Sequence, residues 1–98
     1  MAATLTRSGD RLQLTGAIDY DNADAICAEG IALLGQTGAQ TVVDLAGLTS
    51  ASSLSVAVLL RWARMAAAQG RLLQLTQVPP RCQAIVRVSG LAEALPEV

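Results

Sequence analysis

Histidine, phenylalanine and lysine are all missing from the 98 residues, and a single Trp and a single Tyr supply the aromatic content. Without His there is no Ser-His or Cys-His nucleophile pair, and the commonest zinc ligand is gone. With aromatics at 2% there is no stacking platform for RNA bases and no deep aromatic pocket. Cysteine is almost as scarce: Cys27 and Cys82 lie far apart in helix-forming sequence, form no CxxC pair, and read as two small core residues. No apolar run approaches the roughly 20 residues of a membrane span, and Met1 to Asp10 lacks the apolar stretch of a signal peptide. Phosphate-cradling patterns of the GxxxxGK[ST] or GxGxxG type are absent, as are HExxH-like and EF-hand spacings. These absences argue against an enzyme, a cofactor and a bound metal. The expectation is one soluble, cytoplasmic domain that does not insert into a membrane.

What the chain does have is aliphatic bulk, with 52% apolar residues. A core of Leu, Val, Ile and Ala implies thin, close-packed layers, and 98 residues suffice to bury one without staples. The net charge is only −1, which gives no general attraction to nucleic acid. Its distribution is uneven. Residues 1–49 hold six of the eight acids, whereas residues 50–98 hold Arg61, Arg64, Arg71, Arg81 and Arg87 against Glu93 and Glu97. The second half could therefore present a basic face to acidic protein or lipid headgroups, or simply a solvated one.

Local patterns give the order of elements. Leu12 and Leu14 alternate with Arg11, Gln13 and Thr15, as in a half-buried strand, and Ser8-Gly9-Asp10 suits a hairpin turn from Thr4–Arg7. The "TGAID" that follows should leave the sheet. Asp21 or Asn22 is placed to cap a helix running to about Leu34, with Ala23, Ile26, Cys27, Gly30, Ile31 and Leu34 on its apolar face. Asp19, Asp21 and Asp24 then belong to a solvated loop and helix start. "TVVDL", Thr41 to Leu45, reads as a strand buried on both faces. A helix from about Ser53 to Gln69, a strand over Arg71–Val78 and a third helix opened by Pro79-Pro80 complete a ββαβαβα order. "LAEALPEV" is either a short helix or an extended tail.

The stretch between the third strand and the central helix stands out. Four serines (Ser50, Ser52, Ser53 and Ser55) lie within six residues, immediately before the apolar run. At 100° per residue, Val56, Leu59, Leu60, Ala63, Ala66 and Ala67 fall on one side of the helix and can face the sheet. A second stripe remains: Leu54, Val58, Trp62 and Met65, with Arg61 beside it. Two readings stand. The stripe packs on a neighbouring helix, or it docks another protein, since Trp, Met and Arg are enriched at interface centres.

The ββαβαβα order, "TGAID", the block "TVVDLAGLTSASSLSVAVLLRW" and the closing "SGL" together resemble the STAS family over nearly the whole chain. The resemblance implies a mixed sheet of about four strands with the helices mainly on one face. The family's hallmark, a buried strand ending in Asp followed by a D-S-[ST]-G-L-like segment, falls on Asp44 and on Ser52, Ser53, Leu54, Ser55 and Val56. Ser52 stands where the family has Asp, and Ser55 where it has Gly. In anti-sigma factor antagonists of this family, the position of Ser53 is the Ser or Thr that a partner kinase phosphorylates. The short chain and the Arg61-Trp62 pair look closer to the STAS subunit of the Mla phospholipid transport system. That resemblance implies a non-enzymatic accessory subunit at the inner membrane. It would bind an MlaF-like ABC ATPase, within a complex of permease and substrate-binding subunits, through Ser52, Ser53, Leu54, Ser55, Val58, Arg61, Trp62 and Met65.

Overall fold

A computed structural model describes residues 2–98. Strands β1 (Thr4–Ser8) and β2 (Arg11–Thr15) form an antiparallel hairpin in which Ser8 pairs with Arg11 and Thr4 with Thr15. Its two-residue turn is Gly9-Asp10, and Gly9 supplies a φ of +62° that a side chain would resist. β3 (Gln40–Asp44) runs parallel to β2, and β4 (Leu72–Thr76) runs parallel to β3. The sheet order is β1-β2-β3-β4. Helices α1 (Ala23–Leu34), α2 (Ser53–Ala68) and α3 (Pro80–Val88) complete the expected ββαβαβα order.

Leu12, Leu14, Thr41, Val43, Leu73 and Leu75 are buried at alternate strand positions, while Arg11 and Gln13 are exposed. One face of the sheet is therefore roofed by helices and the other is open. Two-sided burial of the "TVVDL" strand is found only in part: on the face away from the helices Asp44 is buried but Val42 is only half-buried. Its apolar run reflects β propensity, since each residue of the run suits a pleated surface whichever way it points.

Two further expectations need correction. "TGAID" does not leave the sheet at once. Gly16 N–H donates to Gly47 O at 2.9 Å, and Thr49 N–H donates to Gly16 O at 2.8 Å, which ties the end of β2 to the loop after β3. Asn22 precedes α1 but does not cap it with its side chain. Its Oδ1 accepts from Asp19 N at 2.9 Å, and its Nδ2 donates to Ala17 O at 3.0 Å. The Asp19 carboxylate in turn accepts from the N–H groups of Asp21 and Asn22, so this acid shapes the turn that feeds the helix. At the other end of α1, the Leu34 carbonyl accepts from the Thr37 hydroxyl at 2.9 Å and from the Arg71 guanidinium, a cation set at the negative end of a helix.

The C-terminal stretch is neither all helix nor all extended: Leu95 N–H donates to Leu91 O at 3.0 Å, closing a turn over residues 91–95, and the last three residues run as an extended tail. Leu75 N–H donates to Pro96 O and Val98 N–H donates to Leu75 O, each at 2.8 Å, so the tail lies on the outer edge of β4. The centre of the core is α2, which packs on β4, α1 and α3.

Candidate functional site

The loop from β3 to α2 is held by its serines. Ser52 is the N-cap of α2, and its Oγ accepts from Ser55 N at 3.3 Å. Ser55 is fully buried, and its hydroxyl donates to Ser50 O. Its two lone pairs then face the Ser50 hydroxyl at 3.0 Å and the Ser52 hydroxyl at 3.4 Å. Ser50 Oγ also accepts from Ile18 N at 2.7 Å, which stitches this loop to the one before α1. Three of the four serines are thus consumed in building the turn. Ser53, the first residue of α2, stays outside this network with its side chain exposed.

Ser53 forms one end of an open groove against α3, lined also by Arg81, Ala84, Ile85, Val88 and Ser89. Val88 is 88% exposed there, a large apolar side chain in water. Sequence reading missed this α3 rim. The available signal was Val88, which lies about 200° around the helix from Val86 while Val86 and Cys82 share the buried face.

The predicted flank of α2 divides in two. Leu54 and Met65 are half-buried and Arg61 is exposed, so these three reach the surface. Val58 is only 6% exposed and forms the floor between α1 and α2. Trp62 is 0% exposed and is not a surface contact, contrary to the docking stripe read from the helical wheel. Its indole lies against Gly30 of α1, and Nε1 donates to Cys27 O at 3.0 Å. A large amphipathic side chain next to a glycine packs inward, because the missing Cβ leaves a slot for the ring and the carbonyl satisfies the N–H.

At the strand end, Asp44 is buried with its Oδ1 accepting from Ala46 N at 2.9 Å and its Oδ2 accepting from Arg11 Nη2 at 3.0 Å. The backbone N–H of Ala46 first, and the Arg11 guanidinium second, hold its carboxyl below the usual Asp range against the opposing effect of burial. This acid fixes the exit from β3 rather than facing the serines. Both cysteines are free. Cys82 is buried, and burial pushes its thiol pKa up, while Cys27 is half-buried on α1.

A family model described as "Mlab, STAS domain" matches residues 1–97. The chain belongs to the STAS family. The solved structures of the anti-sigma factor antagonist SpoIIAA resemble it closely in fold. The unphosphorylated form has a TM-score of 0.74 at 18% identity, covering 99% of this chain and 88% of that one. The phosphorylated form, from Bacillus, has a TM-score of 0.72 at 18% identity, covering 99% and 91%. An anti-sigma factor antagonist from Mycobacterium paratuberculosis has a TM-score of 0.73 at 16% identity, covering 98% and 83%. At these identities the likeness is one of fold. On sequence, no curated protein matches the chain. Among the described residues of this STAS domain, no helix is long and apolar enough to cross a membrane.

Proposed function

We propose that this STAS domain is a non-enzymatic docking subunit of a bacterial inner-membrane ABC transporter for phospholipids, held at the cytoplasmic side by the ATPase it binds. The observation that carries this reading is the division of labour among the serines. Ser50, Ser52 and Ser55 rigidify the turn, and Ser53 is left exposed at its tip, beside Leu54 and about two and three turns before Arg61 and Met65. A small hydroxyl on a rigid turn, sharing a groove with the apolar Ile85 and Val88 and the Arg81 guanidinium, suits a close protein contact. The MlaB-like family model supports the choice of an ABC ATPase as partner. By binding only the assembled, active state of the ATPase, the subunit stabilises that state by mass action.

The test is co-purification of the transporter with Ser53→Arg and Met65→Glu variants. Both substitutions are at surface positions, so the fold should persist while ATPase capture falls at least tenfold, the equivalent of about 1.4 kcal/mol. Undiminished capture by both variants removes the site from this face.

The exposure of Ser53 also favours a second reading: an anti-sigma factor antagonist switched by phosphorylation at Ser53. Phosphate there would add about −1.5 to −2 charges at the positive end of α2. Intact-mass measurement of the protein from growing and starved cells separates the two readings. A phosphorylated fraction mapping to Ser53 supports the switch, and an unmodified chain that co-purifies with an ABC ATPase supports transport. Neighbouring ATPase and permease genes, or sigma factor and kinase genes, give the same separation.

A further inference from the structure

The groove between α1 and α2 shares Leu54, Arg61 and Met65 with the docking face proposed above, although Ser53 itself does not line it. It is an open trough of about 560 Å³. Along its α2 wall run Leu54, Val58, Arg61 and Met65, and Ala23 and Cys27 form the α1 wall. Among the α2 residues that line the trough, these four are spaced 4-3-4, the repeat by which one helix presents a seam to another. From Leu54 to Met65 the seam is about 16 Å long, or three turns. Arg61 interrupts its apolar side chains. Among the described residues the one ion pair is Arg11–Asp44, so the Arg61 and Arg64 guanidiniums at this rim have no carboxylate oxygen within 4 Å. The opposite rim carries Asp24. The trough is thus mostly apolar, with positive charge on its α2 side and negative charge on its α1 side.

We propose that this trough seats an amphipathic α-helix of a partner protein. That helix carries apolar residues in the same 4-3-4 spacing and a carboxylate set against Arg61. Helix-in-groove recognition explains the spacing, and the unmatched guanidinium explains the sign of the charge. Asp24 fixes the orientation, because a helix docked with its acids toward α1 would place like charges together. The proposal rests on the reading of the protein as a docking module and names the chemistry of what docks.

The test uses the whole 98-residue chain and two synthetic helical peptides. Both carry Leu at 4-3-4 spacing. One has Glu, the other Lys, at the flanking positions. Cys27 serves as reporter: it is half-buried in the trough wall, whereas Cys82 is 0% exposed, so a thiol-alkylating reagent distinguishes them in the native protein. The Glu peptide should slow alkylation of Cys27 and bind about tenfold more tightly than the Lys peptide at low salt, with the gap narrowing as salt rises. Arg61→Glu, an exposed position, should reverse the ranking, and the recovered Lys-peptide binding shows that the variant is folded.

Equal binding of the two peptides, or a ranking that Arg61→Glu leaves unchanged, overturns the proposal. Protection of Cys27 by phosphatidylglycerol vesicles but not by peptide overturns it in favour of a lipid surface. Protection that rises with the protein's own concentration, without peptide, overturns it in favour of a second copy. ATPase capture by the Ser53→Arg variant is a separate readout: capture that falls while the two peptides bind the parent chain equally overturns the groove and leaves the Ser53 reading, and undiminished capture with the peptide ranking intact does the reverse. Failure of the groove and failure of the Ser53 site are therefore separate results.

Discussion

At the scale of single residues, the pair Gly30 and Trp62 decides which side of α2 is core. A Cβ on Gly30 would sit 2.1 Å from Trp62 Cε2, a distance no side chain tolerates, so the indole and the glycine occupy one slot between them. Gly30 is mid-helix, where glycine costs about 1 kcal/mol against alanine, and that cost is offset by burial of the whole ring. Gly30→Ala should therefore destabilise the fold by roughly 1–3 kcal/mol despite its better helix propensity. Urea unfolding followed by far-UV circular dichroism measures this. Adding Trp62→Leu, which frees space, should make the double variant lose less than the sum of the two single changes. A Gly30→Ala variant as stable as the parent would show that Trp62 has another place to go. This pair also marks where sequence reading stops. The helical period correctly found a second apolar stripe on α2. Only the neighbouring helix, with a missing side chain 32 positions earlier, turned half of that stripe inward.

Among the elements, the order of strands and helices was legible because periods of 2 and 3.6 and the Gly9, Gly70 and Gly90 stops are local signals, and each of those glycines has a positive φ. The capping of α1 was not legible. Asn22 spends its side chain on Asp19 and Ala17, so the residue at the expected place makes a different hydrogen bond. The strand-ending Asp44 was legible as a position but not as a mechanism. Its carboxylate bonds Ala46 and Arg11 and does not face the serines. This gives a pH dependence with a definite sign. The folded-state pKa of Asp44 is depressed, so its contribution to stability is complete above the unfolded value of about 3.9. That contribution is lost as pH falls through the folded pKa. Asp44→Asn should lower the thermal midpoint at pH 7, and the gap from the parent should close between about pH 5 and the strongly acidic range. Thermal melts across that range check it. A gap that stays constant with pH would assign the effect to packing rather than to the carboxylate charge.

At the scale of the whole molecule, the question is how an open four-stranded sheet avoids pairing with its neighbours through its edges. The edge of β4 is covered by the tail, through the backbone bonds of Leu75 to Pro96 and Val98, a Gln83–Glu97 side-chain bond of 2.8 Å, and Leu95, which is 2% exposed. "LAEALPEV" could be read as helix or extended because it is too short to show a period. Its first half closes a single turn, and what selects the extended form of Pro96–Val98 is the unpaired strand edge beside it, a tertiary partner that no local pattern announces. Removing Leu95–Val98 should have two separable effects. Loss of Leu95 from the core should cost about 2–5 kcal/mol, and the bared N–H and C=O of Leu75 should let two chains pair edge to edge. Leu95→Ala keeps the backbone of the tail in place, so it should lose comparable stability and remain monomeric. Sedimentation of both variants at several concentrations, under conditions where circular dichroism shows them folded, tells the effects apart. Association of the truncated chain alone assigns the tail the role of an edge cover. If Leu95→Ala associates equally, the cause is exposed core rather than an open edge.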